Sequence, residues 1–256
     1  MKLRFLTYNI ASGRCFDVKR DEDGKLRAPY NISRCISVIK EINPDFLGLN
    51  EICENDKRFD FVSQPKVIAD ACGFPNYYFG KAMSFPFLNE GSGYGNAQAS
   101  KFPYTSVSTV PIPDPEVRDE EGYYETRAII KNVIELPDGR KLTVMQVHVG
   151  LNLREHQNAI VKLCEEIDNA EYPVILMGDF NMREWDFNLD RIRERLVDVN
   201  IAAGKHFPTF PSTKEVYCPN CKIDYIFVSP SIKVLDVGTV QDTASDHLPL
   251  YADLEI

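Results

Sequence analysis

The chain has no apolar run approaching the roughly 20 residues that a membrane-spanning helix requires, so no membrane insertion is expected. It also has no Gly-x-Ser-x-Gly elbow, which sets aside a serine hydrolase of the familiar α/β kind. Basic residues are in deficit: 29 Lys and Arg against 38 Asp and Glu give a net charge of −9. Nonspecific nucleic-acid binding rests on phosphate neutralisation by Lys and Arg, so this balance argues against a long polyanionic partner. Local patches can still oppose the net charge, and a nucleic acid stays open as a partner on that ground. Linkers, internal repeats and low-complexity tracts are absent as well, so residues 1–256 read as one domain, expected to be a monomer.

Cysteine does not supply a framework either. Seven is an odd number, and the residues are scattered through expected helices and strands, as for reduced, buried thiols in a cytoplasmic protein. Cys218-Pro219-Asn220-Cys221 resembles half a zinc knuckle, but no second Cys or His pair stands at matching spacing, so a tight turn with two incidental cysteines is expected. The start, Met1-Lys2-Leu3-Arg4-Phe5-Leu6-Thr7-Tyr8-Asn9, is basic but lacks the apolar core of about 7–15 residues of a signal peptide. It reads as a first strand, and a cytoplasmic location is expected.

What is present is organised around Pro173-Val174-Ile175-Leu176-Met177-Gly178-Asp179-Phe180-Asn181. Four consecutive large apolar residues read as a strand buried on both faces, since a half-exposed strand would alternate. It ends at Gly178 and delivers Asp179 and Asn181 to its C-terminal end, where an α/β protein builds a site. Gly-Asp and Asn also make ordinary turns. Phe46-Leu47-Gly48-Leu49 repeats the pattern and ends in Asn50-Glu51. Asn31 or Ser33 can cap a helix running to about Ile42, stopped by Asn43-Pro44. Further helices are expected over 63–72, from Leu153 to Asp168 and near 187–195. Strands are expected over Ala97–Ser100, Tyr104–Val110, Arg127–Leu136, Lys141–Val149, Ile223–Val228, Val234–Val240 and Leu248–Leu254, and a surface loop over Pro111–Glu125.

Polar residues interrupt strands that should be apolar. Ile223 to Val228 is apolar on both faces except at Asp224, which either braces a loop or orients a catalytic imidazole. A candidate imidazole is His247, just before the last strand. In Leu142 to Val149, alternation puts Gln146 and His148 on one face; a lone strand histidine is otherwise an ordinary core residue. Collected, the strand ends offer Asn9, Glu51, His148, Asp179, Asn181, Asp246 and His247, with Asp224 behind. Carboxylate and amide oxygens suit a hard ion such as Mg²⁺, which keeps several waters, and the set supports metal-assisted attack of water on phosphorus.

The motifs Thr7-Tyr8-Asn9-Ile10, Leu49-Asn50-Glu51, Gly95-Asn96-Ala97, Gln146-Val147-His148, Gly178-Asp179-Phe180-Asn181, Ile223-Asp224-Tyr225-Ile226 and Ser245-Asp246-His247-Leu248-Pro249 fall in the order seen in the endonuclease/exonuclease/phosphatase superfamily. The chain resembles that group over essentially its whole length. The resemblance implies a DNase I-like four-layer α/β/β/α sandwich of two packed mixed sheets, dependence on Mg²⁺ or Mn²⁺, and hydrolysis of phosphoesters. By position, Glu51 looks like the main metal ligand, with Asn9 and Asp246 near the ion. His247, held by Asp224, looks like the group that activates water or stabilises the transition state. Asp179 and Asn181 look like the pair that positions the nucleophile, His148 and Asn181 like phosphate contacts, and Arg127 like a phosphate-binding arginine. Either Asp179 or His247 can be cast as general base. Ala11 and Asn50 depart from the pattern of abasic-site endonucleases without touching the core chemistry. The acidic loop Asp114, Glu116, Asp119, Glu120, Glu121 and Glu125 favours a small phosphorylated metabolite or nucleotide as substrate over DNA or RNA. A non-catalytic binding protein on the same fold is the rival reading.

Overall fold

The structure is a computed structural model that describes every residue except 17–18, 21–25, 28, 86–88, 119–122 and 213–220; the side chains of 19, 20, 26 and 27 also lie outside it. The expected turn at Cys218–Cys221 and the acidic positions Asp119, Glu120 and Glu121 therefore fall largely outside the described residues. In chain order the strands are β1 (Lys2–Asn9), β2 (Lys19–Arg20), β3 (Leu26–Arg27), β4 (Phe46–Glu54), β5 (Asn76–Met83), β6 (Gly93–Ser100), β7 (Tyr104–Pro111), β8 (Ala128–Glu135), β9 (Lys141–His148), β10 (Val174–Asp179), β11 (Val197–Asp198), β12 (Asp224–Val228), β13 (Lys233–Thr239) and β14 (Leu250–Glu255). Two six-stranded mixed sheets form, in the orders β13-β14-β1-β4-β6-β5 and β11-β12-β10-β9-β8-β7. Strand β1 runs parallel to β4 and antiparallel to β14, while β10 runs parallel to β9 and antiparallel to β12.

The helices are α1 (Ile32–Ile42), α2 (Gln64–Cys72), α3 (Leu153–Asp168), α4 (Asp190–Arg193) and α5 (Val199–Ala203). Of the two caps foreseen for the first, Asn31 is the one used, accepting from Ser33 N, and Asn43 ends the helix in the left-handed region. Helices α1 and α2 cover the outer face of the first sheet, burying Cys35, Val38, Ile39, Ile42, Ile68 and Ala69 against Leu6, Tyr8, Leu47 and Leu49. Helix α3, closed by an Asn152–Glu155 capping box, buries Ala159, Ile160, Leu163 and Cys164 against the outer face of the second sheet. The result is the four-layer sandwich. The helix expected near 187–195 is shorter: a 3₁₀ turn at Phe187–Leu189 precedes the single turn of α4, because only Leu189, Ile192 and Leu196 there have apolar surface to bury. Strand β5 and helix α5 escape the sequence reading. The first is a half-exposed edge strand of mixed polarity, and the second is too short to show a period.

The face between the sheets changes character along its length. At one end Leu3, Phe5, Phe46, Leu142, Val144, Ile175, Ile226, Val228 and Leu250 make a dry apolar core. Two residues on, the same faces carry Thr7 and Asn9, Gly48 and Asn50, Gln146 and His148, Asp179 and Asp224, all buried. Asn50 Nδ2 donates to Asn96 Oδ1 and to Val147 O, both at 2.8 Å, while Gln146 Nε2 donates to Asn50 Oδ1 at 2.9 Å and Thr7 Oγ1 at 3.2 Å. Gly48 lets the sheets close on this network, since a side chain there would overlap the Gln146 amide. Pairing of this kind is what makes buried amides tolerable, as an unpaired one would cost about 1–3 kcal/mol.

A buried ion pair anchors the chain just before β12. Lys222, 1% exposed, donates to both Asp198 oxygens at 3.0 and 3.1 Å and lies 4.2 Å from the Tyr225 ring centroid. Burial lowers the Lys222 pKa, and Asp198 opposes that shift. Asp198 also caps α5 through Asn200 N. Lys222→Met leaves a buried carboxylate unpaired and is expected to cost about 3–5 kcal/mol in urea unfolding, with most of the loss recovered in the double variant Lys222→Met/Asp198→Asn. A single variant within about 0.5 kcal/mol of the parent, the range of ordinary surface substitutions, would show that the pair anchors nothing.

Candidate active site

The polar residues converge where β1, β9 and β10 finish and where β4, which runs past its expected end to Glu54, bends at Glu51. The backbone is bent to bring them there. Glu51 has φ +54° at a register shift between Leu49 and Ile52, and Asn181 (φ +51°), Ala11 (φ +45°) and Ser12 (φ +56°) also adopt left-handed conformations. Such residues cost free energy and persist where the surroundings fix them, as at sites that hold a side chain in one direction. Gly178 has φ +146°, and a Cβ there would overlap the Val147 carbonyl of the neighbouring strand. The glycine of the Gly-Asp-Phe-Asn run is thus a requirement of close strand approach beside Asp179.

Asp179 is the centre. It is 1% exposed, and its Oδ2 has three nitrogen neighbours: Asn9 Nδ2 at 3.0 Å, His148 Nε2 at 3.4 Å and His247 Nε2 at 3.6 Å. Its Oδ1 accepts from Asn181 N at 2.9 Å, and its own N–H donates to Asn50 Oδ1 at 3.1 Å. Asn50, expected to lie apart from the chemistry, therefore holds the central carboxylate as well as the two sheets. Sequence reasoning missed that role; a polar residue on the inward face of an otherwise buried strand was the available signal.

On the far side of His247, Asp224 Oδ2 lies 2.9 Å from Nδ1. That contact turns Nε2 toward Asp179. Burial alone would lower the His247 pKa, but Asp224 and Asp179 outweigh it and raise the net value well above the ordinary range. Burial raises Asp179, opposed chiefly by the charge on His247. Each favours the charged form of the other across 3.6 Å, and burial leaves the Asp179 pKa raised to about 7.

His148 has the opposite setting. Arg127 NH1 lies 3.0 Å from its Nδ1, and a guanidinium can only donate, so Nδ1 accepts and Nε2 carries the proton. Burial, then Arg127 and His247, push its pKa well below the usual value, which keeps the ring neutral. Arg127 itself, expected on the substrate's phosphate, is 7% exposed and engaged at its other nitrogen by Glu125 Oε2 at 2.6 Å. Asn181 Nδ2 donates to Val149 O at 2.9 Å; its 3.2 Å approach to His148 Nε2 is no hydrogen bond in this tautomer, whose Nε2–H faces Asp179 Oδ2 at 3.4 Å.

Glu51 and Asp246 face a cleft of about 200 Å³ beside this cluster. Asp246 is raised by burial first and by Glu51 as well, so two carboxylates oppose each other across the same space. Two carboxylates facing one cleft suit a hard divalent cation. Asn9 Nδ2 donates to Glu51 Oε1 at 3.1 Å, while its Oδ1 accepts from Ala11 N, so the amide braces Glu51 and Asp179 against each other. A tighter acid–histidine group, Asp179, Asp224 and His247, has its ligand atoms within 4.8 Å of one another, but the His247–Asp224 hydrogen bond consumes two of them. Every site residue named from the sequence lies in or against this one region.

The chain matches the family model described as the Endonuclease/Exonuclease/phosphatase family over residues 6–247. Among solved structures it is similar to an endonuclease/exonuclease/phosphatase from Beutenbergia cavernae, with 22% identity and a TM-score of 0.76 over 100% of this chain and 72% of that one. It is also similar to a mannosyl-6-phosphatase from Bacteroides thetaiotaomicron, with 18% identity and a TM-score of 0.73 over 99% and 100% of the two chains. A third is D. rerio TDP2 complexed with single strand DNA product, with 16% identity and a TM-score of 0.70 over 100% and 99%. A comparison with curated proteins finds no match. The match over nearly the whole chain, the shared two-sheet fold and the convergence of the motif residues lead to one statement: the chain belongs to the endonuclease/exonuclease/phosphatase family.

Proposed function

We propose that the protein is a divalent-metal-dependent phosphoesterase acting on a small phosphorylated metabolite or nucleotide, with Mg²⁺ or Mn²⁺ as cofactor. The observation that carries this is the surround of Asp179 Oδ2, with two imidazoles and an amide aimed at one oxygen beside the Glu51–Asp246 cleft. A cation held by Glu51 and Asp246 would neutralise phosphoryl charge and lower the pKa of water. Asp179 orients the attacking water and takes its proton. His247, cationic and pinned by Asp224, stabilises the charge that develops on the phosphoryl oxygens. His148 presents a neutral Nε2–H to the same place, its tautomer set by Arg127, which Glu125 holds in turn.

Two similar proteins support phosphate-ester chemistry: one is named a mannosyl-6-phosphatase and the other holds a single strand DNA product. The net charge of −9, and a cleft whose wall includes Glu51, Glu125 and Asp246, favour a small substrate over a long polyanion. No helix among the described residues is long and apolar enough to cross a membrane. The thiols of Cys35, Cys53, Cys72 and Cys164 are free, as in a reducing compartment, which supports action in the cytoplasm.

Hydrolysis of a generic phosphomonoester and a generic phosphodiester with Mg²⁺, Mn²⁺ or EDTA tests the reading directly. His247→Ala and Asp179→Ala are each expected to lower turnover by about 10²–10⁴-fold with the circular dichroism unchanged; a near-parental rate in either refutes the assigned roles. Glu51→Gln is expected to shift the Mg²⁺ titration to higher concentration, and a superimposable titration would remove Glu51 from the metal site. In ¹⁵N spectra, His148 is expected to show protonated Nε2 and bare Nδ1. Arg127→Ala should redistribute that tautomer, and an unaltered spectrum would mean that Arg127 does not set it.

A further inference from the structure

The mouth of the cleft carries a wall that the proposed chemistry does not use. It runs through six side chains in unbroken contact. The Arg14 guanidinium lies 5.9 Å from the centroid of Tyr30, Tyr30 meets Phe59 edge-on at 5.0 Å, and the Arg58 guanidinium lies 5.3 Å from the Phe59 centroid and 5.5 Å from that of Phe85. Phe85 then packs on Tyr94 at 5.2 Å. All of these except Phe59 line the same cleft as Glu51 and Asp246, so the wall is continuous with the candidate metal-binding carboxylates.

The two arginines are not equivalent. Arg58 is clamped by the buried carboxylate of Asp56, with Nε 3.1 Å from both oxygens and NH2 at 2.7 Å. Its charge is matched, and what it offers is a flat face between two rings. Arg14 is exposed and has no carboxylate within ion-pair reach among the described residues. A planar cation and aromatic faces suit a planar ring by stacking, and an unmatched guanidinium suits a carboxylate or phosphate by paired hydrogen bonds.

We infer that this wall is a leaving-group subsite for a phosphate ester whose alcohol carries a planar ring and a second anionic group, with the ring against Phe85 and Tyr94 and the second charge on Arg14. The inference rests on the phosphoesterase reading for which end of the substrate reacts. The scissile phosphate lies toward Glu51 and Asp246, and the rest of the molecule extends along the wall. Arg14 contributes to holding the ground state and the transition state alike, so its loss belongs in KM rather than in kcat.

Binding separates the subsite from the chemistry. His247→Ala protein with Mg²⁺ is titrated calorimetrically with adenosine 3′,5′-bisphosphate, adenosine 5′-monophosphate and glycerol 1-phosphate, which carry ring plus second anion, ring alone, and neither. Affinity is expected to fall in that order by about tenfold at each step, the scale of one stacked ring or one charged hydrogen bond. Adding Arg14→Gln should erase the first step and keep the second, and Phe85→Leu should shrink the second. Equal affinities for the three ligands, or an Arg14→Gln loss shared equally by all three, overturn the subsite. The same three esters are then given to the parent enzyme. If none is hydrolysed while the binding order holds, the phosphoesterase reading fails and the subsite stands; hydrolysis of all three at one kcat/KM sinks the subsite and leaves the chemistry.

Discussion

A carboxylate buried between two sheets cannot stand unpaired, because desolvation would either protonate it or unfold its surroundings. Asp179 is in that position, and much of the molecule meets its needs. Asn9 from the first sheet, Asn181 from the loop after β10, and His247 from the segment before β14 each bring a nitrogen to it. Asn50 then fixes its backbone N–H while bridging to Asn96, Gln146 and Val147. The network that keeps Asp179 tolerable is therefore also the network that closes one end of the sandwich. Fold and site share the same hydrogen bonds.

The division of the inter-sheet face into a dry end and a polar end gives this arrangement its stability. Phe5, Phe46, Val144 and Ile226 supply ordinary apolar burial, at about 25 cal/mol per Å² removed from water, and hold the sheets in register. Strain at the other end, in Glu51 and Asn181, is carried on that rigid base. A site held in this way is preorganised, so its donors need not reorganise when charge develops in the substrate. The two histidines show how finely the surroundings act: Asp224 and Asp179 raise the His247 pKa against its burial, while burial, then Arg127, pushes that of His148 down, within one cluster.

The sequence by itself determined a good deal. Alternation along β9, the apolar run of β10 and the caps of α1 and α3 are local patterns, so those elements were legible, as was the set Asn9, Glu51, His148, Asp179, Asn181, Asp224, Asp246 and His247 from their places at strand ends. Polar residues in buried strands announce themselves because burial is costly. Edge strand β5, the shortened segment at α4 and the short helix α5 were not legible, since they bury too little to impose a period.

Only the tertiary structure decided which residues meet. The role of Asn50 depends on a strand 96 residues away, and the coupling of Glu125 and Arg127 to His148 depends on how β9 lies beside the segment leading into β8. The opposite pKa shifts of the two buried histidines owe much to which neighbour reaches Nδ1, Arg127 or Asp224, a matter of ångströms that no spacing in the chain encodes. The wall from Arg14 to Tyr94 likewise joins segments far apart in the chain, from before α1 to strand β6. Chemistry could be read from residue types because a carboxylate is costly to bury wherever it occurs; partnership could not, because it is settled by distances between residues far apart in the chain.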